Sequence, residues 1–106
     1  MIVVIKGKEY KFEFNSIFGP IYTFELVAGD KLRFDPSKAI CLHILYWCIL
    51  YRANDGFDIS LDDFFSELND LSLVKEMSAY YNNRMKVLTI GIEEEAEESE
   101  EDKKKG

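Results

Sequence analysis

The chain has 106 residues, of which 47% are hydrophobic and 14% aromatic, so it is long enough for one small domain with its own core. A chain of this size buries about 60–70% of its unfolded surface, and we expect it to fold without a metal ion or a disulfide. The formal net charge of −7 disfavours direct nucleic-acid binding, because that binding needs Lys and Arg to replace counterions.

The negative charge is concentrated at the C-terminal end. Residues 93–106 carry eight acids and three lysines, whereas the rest of the chain carries twelve acids and ten bases. Apolar residues stop after Ile92, and a segment without them cannot bury enough surface to become ordered. We therefore expect one domain over residues 1–90 and a disordered acidic and lysine-rich tail over residues 91–106.

The first fourteen residues predict a β-hairpin. Tyr10, Phe12 and Phe14 alternate with charged residues, which is the period of a strand with one buried face. The β-branched run Ile2–Ile5 precedes them, and Gly7 lies between the two runs as a turn residue. A lone hairpin is marginal in water, so its aromatic face must pack on the helices that follow.

Two helices follow the hairpin in the predicted order of elements. The first starts near Pro20 and ends at Gly29, which is expected to be a left-handed cap. The second spans Pro36–Arg52, with Asp35 as its N-cap. Eleven of the twelve residues in Ile40–Tyr51 are apolar or aromatic, so this helix should be surrounded on most sides.

Two further helices complete the predicted domain. Ser60 is expected to cap a short amphipathic helix over Leu61–Leu68, and Asp70 or Ser72 caps the last one. The predicted fold class is therefore α+β, with an N-terminal β-hairpin packed on a bundle of about four helices and followed by the disordered tail.

The two cysteines predict free thiols. If their segment is helical, Cys41 and Cys48 lie about 10 Å apart, which exceeds the roughly 4.4–6.8 Å that a disulfide spans. Buried free thiols fit a reducing cytoplasm. The most apolar run, Ala39–Tyr51, has thirteen residues and is interrupted by His43, whereas a membrane span needs about twenty. We expect a cytoplasmic protein without a membrane partner.

The stretch ANDGFDISLDDFF, Ala53–Phe65, imitates a calcium-binding loop. An EF-hand loop needs oxygen ligands at positions 1, 3, 5, 7, 9 and 12 and a Gly at position 6. Placing Gly56 at position 6 puts Tyr51 at position 1 and Ala53 at position 3, and neither side chain replaces a carboxylate. The stretch is better explained as a helix end, a short loop and a new capped helix, so no metal is expected.

The remaining polar residues do not suggest catalysis. His43 and Cys41 are two apart in a helix, so they point to different sides and cannot act as a pair. Asp62 and Asp63 are adjacent at a helix N-terminus, where the helix dipole explains two carboxylates without acid–base chemistry. No glycine-rich phosphate loop is present. We expect neither an enzyme nor a cofactor.

The fifteen aromatic residues are more than a small core needs. Core packing explains most of them, but those in the C-terminal half also fit a partner-binding patch on the last two helices. The candidate residues of this patch are Phe57, Phe64, Phe65, Tyr80 and Tyr81.

The order of features resembles a known family. A hairpin with GKEY and alternating Phe is followed by a short helix ending in Gly29, a helix rich in Leu, Tyr and Cys, the segment FDISLDDF at Phe57–Phe64, another helix and an acidic and lysine-rich tail. Over residues 1–90 this is similar to the small tail assembly chaperones of long-tailed bacteriophages and prophages.

The resemblance implies a non-enzymatic role in the host cytoplasm. Such chaperones coat the long helical tape measure protein, are displaced as tail tube subunits polymerise, and are absent from the finished virion. The implied partners are the tape measure protein and the tail tube protein, and many members occur in a short and a frameshift-extended form. A homo-oligomer and an association with an extended form both remain open here.

A second class of function competes with this one. A compact acidic phage protein could be an inhibitor or regulator that mimics DNA or binds another protein. DNA mimics distribute carboxylates over the folded surface, whereas the acids of this chain are concentrated in the tail. That distribution favours the chaperone over the inhibitor.

We expect isothermal titration calorimetry to detect no micromolar calcium binding, because positions 1 and 3 of the loop lack ligands. A calcium-loaded EF-hand protein is the positive control for the titration. Micromolar affinity in this chain would contradict the interpretation of Ala53–Phe65 as a loop between two helices.

Overall fold

The computed structural model describes the side-chain surroundings of residues 1–88. Its elements are two strands, β1 and β2, and four helices, α1 to α4, which confirms the predicted α+β class with an N-terminal hairpin. Their bounds in chain order are β1 Ile2–Ile5, β2 Lys8–Lys11, α1 Phe18–Ala28, α2 Ala39–Ala53, α3 Leu61–Glu67 and α4 Leu71–Lys105. The tail expected to be disordered, residues 91–106, lies outside the residues whose surroundings are described.

The hairpin is antiparallel, with Ile5 opposite Lys8 across a two-residue turn. Both turn residues have positive φ, 54° at Lys6 and 76° at Gly7, which is the type I′ geometry that matches the twist of the strands. Alternation then turns one set of side chains inward. The buried set is Val3, Ile5, Tyr10, Phe12 and Phe14.

Helix α2 lies at the centre of the domain. One side packs with the hairpin, α3 and α4, through Leu45, Tyr46, Ile49 and Leu50. Cys41, Ile44 and Cys48 form a second cluster with Phe24 of α1. A helix that is apolar nearly all round therefore finds cover on two sides, as its sequence requires.

The prediction that α2 starts at Pro36 is wrong. The helix begins at Ala39, and its N-cap residue, Lys38, makes no capping hydrogen bond through its side chain. The carboxylate of Asp35 accepts hydrogen bonds from the backbone N–H of Ser37, at 3.0 Å, and from its hydroxyl, at 2.7 Å. These bonds lower the pKa of Asp35 and commit its side chain to a turn ahead of the helix.

The predicted ends of α1 also need correction. The helix begins at Phe18, and Pro20 lies in its first turn, where no backbone N–H is needed within the helix. Gly29 has φ of −59°, so it is not a left-handed cap. A Cβ atom at this position would collide with the backbone oxygen of Glu25. Close approach of the backbone, rather than positive φ, favours glycine here.

The N-caps of α3 and α4 are residues that the sequence predicts. The hydroxyl of Ser60 accepts a hydrogen bond from the backbone N–H of Asp63 at 3.1 Å. The carboxylate of Asp70 accepts hydrogen bonds from the N–H groups of Ser72, at 3.0 Å, and Leu73, at 3.4 Å. Of the two caps predicted for α4, Asp70 is therefore the one the structure shows.

Hydrogen bonds join the loop between α2 and α3 to the hairpin and to α2. The side-chain amide of Asn54 donates hydrogen bonds to the carbonyls of Lys11, at 2.8 Å, and Leu50, at 2.9 Å. Its oxygen accepts one from the N–H of Lys11 at 3.0 Å. Farther along, the indole N–H of Trp47 donates to the carbonyl of Ile59 at 2.8 Å. The loop therefore holds the hairpin against the end of α2.

We expect Asn54→Ala to lower the free energy of unfolding by about 2 kcal/mol, because it removes three hydrogen bonds worth roughly 0.5–1.5 kcal/mol each. Chemical denaturation of the two proteins measures the difference. Asn82→Ala, at an exposed position of α4, is the matched control and should change stability by less than about 0.5 kcal/mol. Equal effects of the two substitutions would contradict the role of Asn54.

Candidate partner-binding surface

The five aromatic residues predicted to bind a partner belong largely to the core. Phe64 is fully buried and Tyr81 is 9% exposed, so neither ring offers much surface. Phe57, Phe65 and Tyr80 are half-buried and pack against the main core cluster. A partner could touch the last three without unfolding the domain, but it could not reach Phe64.

The three half-buried rings close the rim of the core through aromatic contacts. The ring of Phe57 meets that of Tyr10 edge-on, with 5.3 Å between centroids. Tyr80 lies 5.6 Å from Phe12. Phe65 packs edge-on to the buried ring of Phe64 at 6.1 Å. The contacts of Phe57 and Phe65 are edge-to-face, an arrangement that is favourable beyond the area that it buries.

The most exposed large apolar side chains of α1 form a stripe. Phe18 is 74% exposed, Tyr22 63% and Leu26 69%. The three positions are four residues apart, so their side chains lie along one face of the helix, over about 12 Å at 1.5 Å rise per residue. We call Phe18, Tyr22 and Leu26 the α1 stripe. Exposed apolar side chains in a row, rather than singly, are typical of interaction sites.

The stripe exists because α1 is apolar on both of its faces. Its inner face buries Phe24, whose ring meets that of Phe34 edge-on at 5.2 Å. Glu25 is the one charged residue between Phe18 and Ala28. The main helical neighbour of α1 is α2, and on the face away from α2 the side chains of Phe18, Tyr22 and Leu26 stay mostly exposed among the described residues.

Sequence reasoning missed the stripe although its spacing was visible. Ile21, Phe24 and Val27 recur at helical spacing in α1, but the structure does not bury them equally. Phe24 is buried, Ile21 is half-buried and Val27 is 42% exposed. The recurrence of large apolar residues at i, i+4 and i+8 would have revealed a second apolar face.

The two cysteines and the histidine are all buried or half-buried. Both cysteines are buried free thiols, as predicted. Burial raises the pKa of Cys48 to about 12, so its thiol stays protonated and unreactive at pH 7. His43 is half-buried beside the rings of Tyr46 and Phe65, and burial lowers its pKa. Within residues 1–88, no three His, Cys, Asp or Glu side chains come together to hold a metal ion.

Comparisons with protein-family models, with curated proteins and with solved structures found no match to the chain. None of the helices, over the part of the chain that the structure describes, is both long and apolar enough to cross a membrane.

We expect Phe18→Ala and Phe64→Ala to differ sharply in stability. Phe18 is mostly exposed, so its substitution should change the free energy of unfolding by less than about 0.5 kcal/mol. Phe64 is fully buried, and its substitution should cost about 3–5 kcal/mol. Chemical denaturation measures both. A loss above about 2 kcal/mol for Phe18→Ala would mean that this ring is covered.

Proposed function

We propose that the protein is a non-enzymatic phage or prophage tail assembly chaperone that binds the tape measure protein and keeps it soluble while the tail assembles. The observation that carries this proposal is the α1 stripe of Phe18, Tyr22 and Leu26, which is exposed in the isolated chain. The resemblance of residues 1–90 to the family of small tail assembly chaperones supports the same function.

The geometry of the stripe suits a helical client. Side chains four residues apart form a ridge along a helix, and such a ridge fits the groove between the side-chain rows of a second helix. A long helical protein with apolar faces offers many such grooves in succession. The tape measure protein that the family resemblance implies is a client of this kind.

The size of the stripe favours weak binding by each copy. Fully burying one large apolar side chain contributes about 1.5–3 kcal/mol, so covering three that are about two-thirds exposed contributes roughly 3–6 kcal/mol. Association itself costs about 4–15 kcal/mol. One stripe therefore does not hold a client tightly, which suits a chaperone that coats its client in several copies and is later displaced by tail tube subunits.

The charge of the chain fits the same task. A protein that presents an apolar stripe needs charge elsewhere to stay soluble, and this chain has a formal net charge of −7. The half-buried rings of Phe57, Phe65 and Tyr80 are the part of the sequence-predicted patch that could extend the contact with a client.

We expect co-expression with the neighbouring tape measure protein to raise the soluble fraction of that protein. The combined variant Phe18→Ser, Tyr22→Ser and Leu26→Ser should lose most of this effect, because it removes the apolar stripe without touching the core. The soluble fraction is measured by quantitative immunoblotting of cell lysates, and circular dichroism shows whether the variant is folded.

The matched control is the double variant Leu71→Ser and Val87→Ser, which removes exposed apolar side chains from α4. It should keep the effect of the wild-type chain. If the α4 control lost the solubilising effect and the stripe variant kept it, the client would contact α4 and not the α1 stripe. An unchanged yield of soluble tape measure protein, with or without the chain, would overturn the function itself.

A further inference from the structure

A cleft of about 820 Å³ opens between the end of the hairpin segment, the start of α1, the end of α2 and the side of α4. Pockets that hold small molecules in proteins typically measure about 300–1,000 Å³. The residues of its lining that matter below are Glu13, Asn15, Gly19, Arg52 and Arg84. Two arginines thus line one cleft in a chain whose formal net charge is −7.

Arg84 reaches the cleft from α4 with its orientation fixed. Its Nε donates a hydrogen bond to the carbonyl of Phe14 at 2.9 Å, and Nη2 donates one to the side-chain oxygen of Asn15 at 2.9 Å. A guanidinium group has five N–H donors, so these two bonds leave others for a ligand. The two bonds hold the guanidinium plane in place before any ligand arrives.

Arg52 reaches the same cleft from the last turn of α2. Its Nη1 donates a hydrogen bond to the hydroxyl of Thr23 at 3.3 Å. The guanidinium lies against the backbone of α1 at Gly19, where an added Cβ would come within 2.7 Å of Nε. Glycine at this position therefore makes room for the arginine. The remaining donors of Arg52 are open to a ligand.

The charges around the two arginines leave them unneutralised. Within residues 1–88, the one ion pair at 4 Å or less joins Lys6 and Asp63, and neither of these residues lines the cleft. Glu13 is the one acid in the lining. The first turn of α1, which borders the cleft, contains no acidic residue. The cleft therefore keeps a net positive charge of about one unit.

We propose that this cleft binds an acidic peptide segment, whose carboxylates accept hydrogen bonds from Arg52 and Arg84. Guanidinium groups bind carboxylates in a paired, two-bond geometry that adds direction to the charge attraction. The volume of the cleft is far larger than one inorganic anion needs, and it leaves room for several residues of a chain. The lining contains no residue of the α1 stripe, and the proposal does not depend on the chaperone function.

Two sources can supply such a segment. One is the chain itself, since residues 93–102, EEEAEESEED, include eight acids among ten residues, and one copy can present them to the cleft of another. The other source is an acidic segment of a different protein. Both carry the same chemistry, and the oligomeric state of the full chain separates them.

The test is an NMR titration of the full-length ¹⁵N-labelled chain with a synthetic EEEAEESEED peptide. We expect saturable shifts of the backbone amides of cleft residues, including Asn15 and Gly19, that weaken as salt is added. Arg52→Gln should weaken the affinity about tenfold, because it removes charge-assisted hydrogen bonds. Lys75→Gln removes the same charge at an exposed position outside the lining, and should change the affinity by less than about twofold.

A second variant changes the position of the Arg52 guanidinium without changing its charge. Gly19→Ala keeps both arginines but forces the guanidinium of Arg52 away from α1, so it should weaken peptide binding while circular dichroism shows an intact fold. Equal affinity in the wild type and in Arg52→Gln would overturn the proposal. So would equal shifts from inorganic phosphate at the same concentration, since the cleft would then be a general anion site.

Analytical ultracentrifugation of the full chain identifies the source. Self-association that disappears in Arg52→Gln supports binding of the acidic segment of a second copy. A wild-type monomer that still binds the added peptide supports an acidic segment from another protein. A monomer that binds no peptide, together with unshifted cleft amides, contradicts the proposal.

Discussion

Helix α2 presents apolar side chains in nearly every direction, and no single neighbour can cover them all. The hairpin, α3 and α4 cover one side through the cluster around Leu45 and Ile49. Helix α1 covers another side through Phe24. The hairpin in turn depends on this packing, because a two-stranded hairpin is marginal in water and is stabilised here by contacts with α2, with the loop after it and with α4.

The same constraint explains where the apolar surface lies. Helix α1 is nearly as apolar as α2, but among the described residues it packs mainly against α2. Its inner face stabilises the fold, and its outer face keeps Phe18, Tyr22 and Leu26 in solvent. Removing this outer face should therefore cost little stability, which is what separates a binding surface from a core.

The local features of the fold were predictable because they depend on neighbours in the sequence. The alternation of aromatic and charged residues predicted the hairpin. Ser60 and Asp70 cap their helices by accepting hydrogen bonds from backbone N–H groups two or three positions later. The start of α2 was not predictable in the same way. Asp35 and Pro36 look like a helix start, but the carboxylate bonds Ser37 and the helix begins later.

The position of the candidate binding surface could not be predicted from the sequence, because it depends on which side chains the packed helices cover. The pattern that marks Phe64 as apolar is the same whether the ring lies in the core or faces a partner, and only the packing of α3 on α2 decides between them. The α1 stripe is the opposite case, because its side chains are exposed where no described residue packs on the outer face of α1. The cleft between Arg52 and Arg84 joins positions more than thirty residues apart in the sequence, so no local pattern could show it.

The side chain of Asn54 has a consequence for how the sheet meets other molecules. Its amide offers Lys11 one donor and one acceptor, which is the pair of groups that a residue on a neighbouring strand would offer. One side chain thus takes the place of a third strand at that point of β2. An incoming extended chain finds the N–H and C=O of Lys11 already paired, so strand addition is blocked at this residue of β2.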